Sequence, residues 1–150
     1  MLETVNNAMY DLTVEEGFFA TIILGRYWPT DGRMQLTSGG HLPPLWIVGD
    51  RLRDVSELKG ISLGVTQDAQ YEKTEIFLSP GESILFVTDG VTEAENERSE
   101  LYGQRRLSEH ITSAGGPPYG KGVLAAVNAW RGPAEANDDL TMLEIWRDPA

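Results

Sequence analysis

Ser83-Ile84-Leu85-Phe86-Val87-Thr88-Asp89-Gly90-Val91-Thr92-Glu93-Ala94 is the stretch from which the rest of the chain is read. An apolar run follows Pro80-Gly81 and ends in an acid, a glycine and further acids. A short apolar run entered through turn residues reads as a buried strand. Side chains alternate along a strand, so Ile84, Phe86 and Thr88 point one way and Leu85, Val87 and Asp89 the other. Asp89 then falls at the mouth of an apolar row, within reach of water or a metal ion. A second acidic stretch, Asn137-Asp138-Asp139-Leu140-Thr141-Met142-Leu143, places its acids before a strand.

Working outward, Glu72–Leu78 alternates Lys73, Glu75 and Phe77 against Thr74, Ile76 and Leu78, a strand with one wetter face. It joins the Asp89 strand through the tight turn Ser79-Pro80-Gly81-Glu82. Upstream, Leu2, Val5, Met9 and Leu12 recur at helical spacing and predict an amphipathic helix that Glu15-Glu16-Gly17 ends. Phe18–Trp28 is apolar on both faces and is expected to be an internal strand. Pro29-Thr30-Asp31-Gly32 turns it into Arg33–Ser38, making a hairpin. Ser38-Gly39-Gly40-His41-Leu42-Pro43-Pro44 interrupts, and Leu45–Val48 is a third strand turned by Gly49-Asp50. Ile61–Val65 is a short apolar piece. After a polar loop over Glu95–Glu100, helices are expected over Gln104–Ser113 and Lys121–Arg131. The second carries Val123, Leu124, Val127 and Trp130 on one stripe and stops at Gly132-Pro133. Asp139–Trp146 is the last strand. Antiparallel strands, two helices and a closing strand make the chain α+β.

Composition narrows the chemistry. The chain has 150 residues, 12 Lys+Arg against 23 Asp+Glu and a formal net charge of -11, which argues against nucleic-acid binding. No cysteine is present, so disulfides and thiolate zinc sites are excluded. No apolar run approaches a membrane span, and cytoplasm is the expected compartment. With only His41 and His110 as imidazoles, a metal would be held by carboxylates, which points to Mg²⁺, Mn²⁺ or Ca²⁺. Asp89 and Asp138/Asp139 converge if their strands are neighbours. Each also reads as an ordinary turn or loop acid. His41 reads as a base or as a turn-packing histidine. Gly39-Gly40 is a weak phosphate-loop signal with no helix after it. Glu93 and Glu95 read as acids supporting a metal site or as solvated groups, and Arg105-Arg106 as a phosphoprotein contact or a wet helix face. Trp28, Trp46, Trp130 and Trp146 read as core or interface residues.

Six motifs occur in an order that resembles the SpoIIE/RsbU branch of the metal-dependent PPM serine/threonine phosphatases. They are Phe18-Phe19-Ala20-Thr21, Ser38-Gly39-Gly40-His41-Leu42-Pro43-Pro44, Ile61-Ser62-Leu63-Gly64-Val65, Leu78-Ser79-Pro80-Gly81-Glu82, Phe86–Ala94 and Asp138-Asp139-Leu140-Thr141. The resemblance implies a β-sandwich of antiparallel sheets with flanking helices and a two-metal Mn²⁺ or Mg²⁺ site, whose bridging water attacks a phosphoserine or phosphothreonine. By motif position Asp89 and Asp138 match metal ligands, and Gly90 and Asp139 match supporting positions. The implied substrate is a phosphorylated anti-sigma-factor antagonist of STAS type, in control of a sigma factor or a two-component pathway. The branch's Gly-Asp strand and Asp-x-x-Gly stretch, which carry further ligands, have no match before Phe18. Residues 1–150 are therefore expected to be a single partial domain with a truncated sandwich, an incomplete metal site and no activity alone. Self-association through uncovered sheet edges is expected as well. The alternative is a non-catalytic phosphatase-like module that binds proteins or dimerises.

Overall fold

The structure is a computed structural model that describes residues 1–13, 16–53, 55 and 57–149. Glu15, part of the expected helix stop, lies outside the described residues. The chain forms two compact units, Met1–Pro43 with Val55–Phe77 and Pro44–Asp54 with Leu78–Ala150.

The first unit opens with helix α1 (Leu2–Thr13). Its inward face is not the expected apolar stripe. Leu2 is buried and Met9 partly so, whereas Val5 is 42% and Leu12 78% exposed. Asn6 takes the inward place at helical spacing and is fully buried. It accepts from the Gly64 amide (3.1 Å) and the Tyr71 hydroxyl (3.0 Å), and its Nδ2 donates to the Thr66 carbonyl (2.9 Å). A buried amide so completely paired costs little and ties α1 to the 64–71 segment. Leu2 packs with Leu63, Ala69 and Tyr71, joined by Met9, Ile22 and Leu24.

Strands β1 (Ile22–Trp28), β2 (Arg33–Gly39) and β5 (Thr74–Phe77) form a three-stranded antiparallel sheet in the order β1-β2-β5. The expected hairpin is present, in the register Trp28↔Arg33 to Ile22↔Gly39. β1, expected inside a sheet, is an edge strand among the described residues. The apolar pattern began at Phe18 and Phe19, but these precede the strand and are 65% and 63% exposed. Between them and β1, Ala20 exchanges backbone hydrogen bonds with Leu63 (3.1 and 2.8 Å). In β5 the expected alternation is kept: Ile76 is buried and Phe77 exposed.

In the second unit, β3 (Leu45–Val48), β4 (Arg51–Arg53), β6 (Glu82–Val87) and β7 (Met142–Trp146) form an antiparallel sheet in the order β4-β3-β6-β7. β6 is central, with β3 on one side and β7 on the other, and all its residues but Phe86 are buried. Its first residue, Glu82, is a buried carboxylate that accepts from Trp46 Nε1 (3.0 Å) and the Ser79 amide (3.1 Å), closing the expected turn. Helices α2 (Asp89–Thr92), α3 (Gly103–Ser113) and α4 (Gly120–Arg131) follow β6. Leu107 and Ile111 of α3 and Val123 and Val127 of α4 pack with Leu45, Ile47, Leu85 and Val87 of the sheet. Each such side chain contributes roughly 1.5–3 kcal/mol on burial. Leu124, expected on the same stripe, is 42% exposed; Ala126 and Trp130 complete the packed face instead.

No tryptophan belongs to the fully buried core. The guanidinium groups of Arg26 (4.5 Å) and Arg33 (3.9 Å) both lie over the Trp28 ring, and that of Arg53 (4.9 Å) lies over Trp46. Trp130 lies under Arg106 (3.8 Å), which also donates to the Leu101 and Tyr102 carbonyls. Arg106 is therefore a structural clasp on the loop before α3, and Arg105 pairs with Glu109 at 2.7 Å. No helix among the described residues is long and apolar enough to cross a membrane.

A candidate metal centre built from two acidic loops

The acid of the Asp89 stretch does not continue the strand. β6 ends at Val87, Thr88 is the N-cap, and Asp89 is the first residue of α2. The strand expected from Asp139 starts three residues later, at Met142, so Asp138 and Asp139 lie in the loop that enters β7. β6 and β7 are neighbours with Val87 opposite Met142. The loop that leaves one strand therefore meets the loop that enters the other.

Four hydrogen bonds fix how they meet. The Thr88 amide donates to the Thr141 carbonyl (3.1 Å), extending the ladder by one pair. Thr88 Oγ1 accepts from the Thr141 amide (3.0 Å) and donates to the Asp139 carbonyl (3.1 Å). Asn137 Nδ2 donates to the Glu93 carbonyl (3.0 Å) at the far end of α2. Between these struts Gly90 is buried, and a Cβ on it would collide with the Asp139 carbonyl oxygen. Glycine is required here for close approach of two backbones.

Both carboxylates are oriented in the same way. Asp89 Oδ1 accepts from the Gly90 amide (3.1 Å), and Asp138 Oδ1 accepts from the Asp139 amide (2.7 Å). In each acid one oxygen is held by the following amide. Asp89, Asp138 and Asp139 are all exposed. Such oxygens suit a hard divalent cation in kind. They fall short in number: among the described residues no group of three or more His, Asp or Glu side chains is placed to hold a metal ion. An octahedral Mg²⁺ or a similar Mn²⁺ is not enclosed by these acids alone.

Of the remaining sequence candidates, Glu93 touches this arrangement through its backbone. His41 belongs to the first unit, where its Nδ1 lies 3.0 Å from the Leu42 carbonyl oxygen. Gly40 adopts φ +74° against Ser62 and leads into no helix. Glu93 is exposed and enters the site through its carbonyl, while Glu95 bridges to Leu101 in the following loop. A cavity of about 370 Å³ lined by Gly81 and Tyr119 opens at the other end of β6, away from the acids. Thr88 and Asn137, the side chains that join the two loops, were not singled out from sequence; a Thr just before a strand-ending acid is the one signal that points to the first.

An α+β domain with antiparallel sheets and paired acidic loops at a strand exit and a strand entry is the class defined here. Residues 1–148 match the SpoIIE family, described as Stage II sporulation protein E. The chain belongs to that family, as a SpoIIE/RsbU-type domain of the PPM class. It is similar to the phosphoserine phosphatase RsbU of Bacillus subtilis, 29% identical over 112 residues, which cover 72% of this chain and 33% of RsbU. It is also similar to protein IcfG of Synechocystis sp., 26% identical over 63% of this chain and 15% of IcfG. Thus the chain spans a third or less of these relatives. The SiaA-PP2C domain of Pseudomonas aeruginosa shares its fold, with a TM-score of 0.79 at 19% identity over 98% of this chain and 59% of that one. The RsbU and RsbW domains of Rv1364c from Mycobacterium tuberculosis give 0.67 at 21% identity, over 99% of this chain and 47% of that one.

Proposed function

We propose that this chain supplies part of the catalytic domain of a metal-dependent phosphoserine/phosphothreonine protein phosphatase of the sigma-factor regulatory type. In this reading Asp89 and Asp138 each give a carboxylate to a Mn²⁺ or Mg²⁺ centre. Gly90 and Asp139 support them, one by close approach and the other through its backbone. The remaining donors come from sequence outside these 150 residues, and the chain by itself releases no phosphate. The substrate is a phosphorylated anti-sigma-factor antagonist of STAS type, and the compartment is the cytoplasm. What carries the reading is the docking of the Asp89 turn on the Asp138-Asp139 loop in a chain of the SpoIIE family.

The test uses the protein whose reading frame contains this chain, assayed for Mn²⁺-dependent phosphate release from the phosphorylated antagonist. Asp89→Asn and Asp138→Asn should each lower kcat by about 100-fold or more, the scale of losing several kcal/mol of transition-state stabilisation. Wild-type rates in both variants would sink the assignment. Mn²⁺-dependent release by the 150-residue chain alone would overturn the divided site. A parent protein that binds the antagonist but never dephosphorylates it would favour the non-catalytic module.

A further inference from the structure

Thr88 occupies a place where the backbone must do two things at once. Opposite Thr141, a regular antiparallel pair would exchange two backbone hydrogen bonds. One is present, from the Thr88 amide to the Thr141 carbonyl (3.1 Å). The other is not made by the Thr88 carbonyl, which turns away and accepts from the Val91 amide (3.1 Å) to start α2. The Thr88 side chain replaces it: Oγ1 accepts from the Thr141 amide at 3.0 Å. The same hydroxyl sends its proton to the Asp139 carbonyl at 3.1 Å, with the Thr141 carbonyl a longer alternative at 3.5 Å. A single hydroxyl thus lets the chain leave the sheet for a helix while keeping the ladder closed, and it holds the loop that carries Asp138.

We propose that Thr88 is a positioning residue whose hydroxyl sets the spacing between Asp89 and Asp138. Thr88 immediately precedes Asp89, and its two side-chain partners, Asp139 and Thr141, flank the exit of the Asp138 loop. A donor and an acceptor are both needed at this atom. Serine meets that requirement and valine, its closest match in shape to threonine, does not. The relevance to catalysis rests on the reading of Asp89 and Asp138 as metal donors; the clamp itself does not.

The experiment is amide hydrogen exchange by NMR on the 150-residue chain as wild type, Thr88→Val and Thr88→Ser, with unfolding by urea to correct for global stability. Thr88→Val should speed exchange at the Thr141 amide roughly tenfold beyond the global change, the ~1.4 kcal/mol of one hydrogen bond. Thr88→Ser should stay within about threefold of wild type. Equal behaviour of the valine and serine variants would overturn the proposal. So would unchanged Thr141 exchange in Thr88→Val. Mn²⁺ added to the same samples gives a separate arm. Broadening of the 88–90 and 137–141 amides at matched Mn²⁺ in wild type, needing roughly tenfold more Mn²⁺ in Thr88→Val, supports the spacing role. Equal Mn²⁺ requirement in the two proteins refutes it. Absence of broadening in wild type counts against the metal-donor reading alone, and the clamp is then decided by Thr141 exchange.

Discussion

Gly90 shows how one missing methyl shapes the site. It lies in α2, where alanine is the better helix former by about 1 kcal/mol. Its φ is not in the left-handed region, so backbone freedom is not what glycine contributes. The deciding contact is steric, since any Cβ would meet the Asp139 carbonyl. Forcing extra volume into packed structure costs about 1–3 kcal/mol, which cancels or outweighs the gain in helix propensity. Gly90→Ala is therefore expected to lower stability by about 1 kcal/mol and to shift the Asp138 and Asp139 amide resonances. Urea unfolding and a two-dimensional NMR spectrum check both. An unchanged spectrum would mean that the two loops do not dock closely. At this scale the acids were legible in the sequence, because a carboxylate at the end of an apolar run is conspicuous. The groups that bring them together were not. Thr88 bonds to residues 51 and 53 positions away, and Asn137 to one 44 away; no local pattern encodes such partners. Asn6 escaped for a related reason: a buried polar residue contributes nothing to apolar periodicity.

Helix α4 is started by a residue from another element. Its N-cap, Tyr119, offers no side-chain hydrogen bond, and its first turn holds no acid. Glu144 of β7 fills the role, accepting from the Tyr119 amide through Oε1 (3.0 Å) and from the Gly120 amide through Oε2 (2.9 Å). Two charge-assisted bonds at the positive end of a helix are stronger than neutral ones. Glu144→Ala is expected to cost about 2 kcal/mol, and Glu144→Gln less, because one oxygen acceptor remains. Thermal unfolding of the three proteins should rank them wild type, Gln, Ala; a Gln variant no better than Ala would mean the carboxylate caps nothing. Periodicity located α3 and α4 to within a residue of where they lie, because amphipathic helices announce their inward faces. It missed β4 and α2, which are three and four residues long, too short to show a period. It also carried the first strand back to Phe18, since exposed aromatics before a strand look the same as strand residues.

For the whole molecule, the buried tyrosines tie proton binding to folding. Tyr71 in the first unit and Tyr102 and Tyr119 in the second are 4–7% exposed. Burial raises all three above the ordinary tyrosine value, because the phenolate would lose its hydration. The Glu3 carboxylate adds to the rise at Tyr71 and the Glu144 carboxylate at Tyr119, whereas Arg106 partly offsets it at Tyr102. In the unfolded chain these groups ionise near pH ~10. A folded pKa above the unfolded one means that the unfolded state gives up its protons first as pH rises. The stability linked to the neutral phenols is thus complete below about pH 10 and is lost as pH climbs through the folded values. Alkaline unfolding followed by far-ultraviolet circular dichroism should coincide with a cooperative rise in phenolate absorbance near 295 nm. Tyr102→Phe removes one such proton and should move the alkaline midpoint upward. In Glu144→Gln the charge that assists Tyr119 is gone, so Tyr119 should ionise at lower pH than in wild type while burial still holds it above the ordinary value. Phenolate absorbance that rises gradually, well before the loss of secondary structure and identically in all three proteins, would contradict burial as the cause.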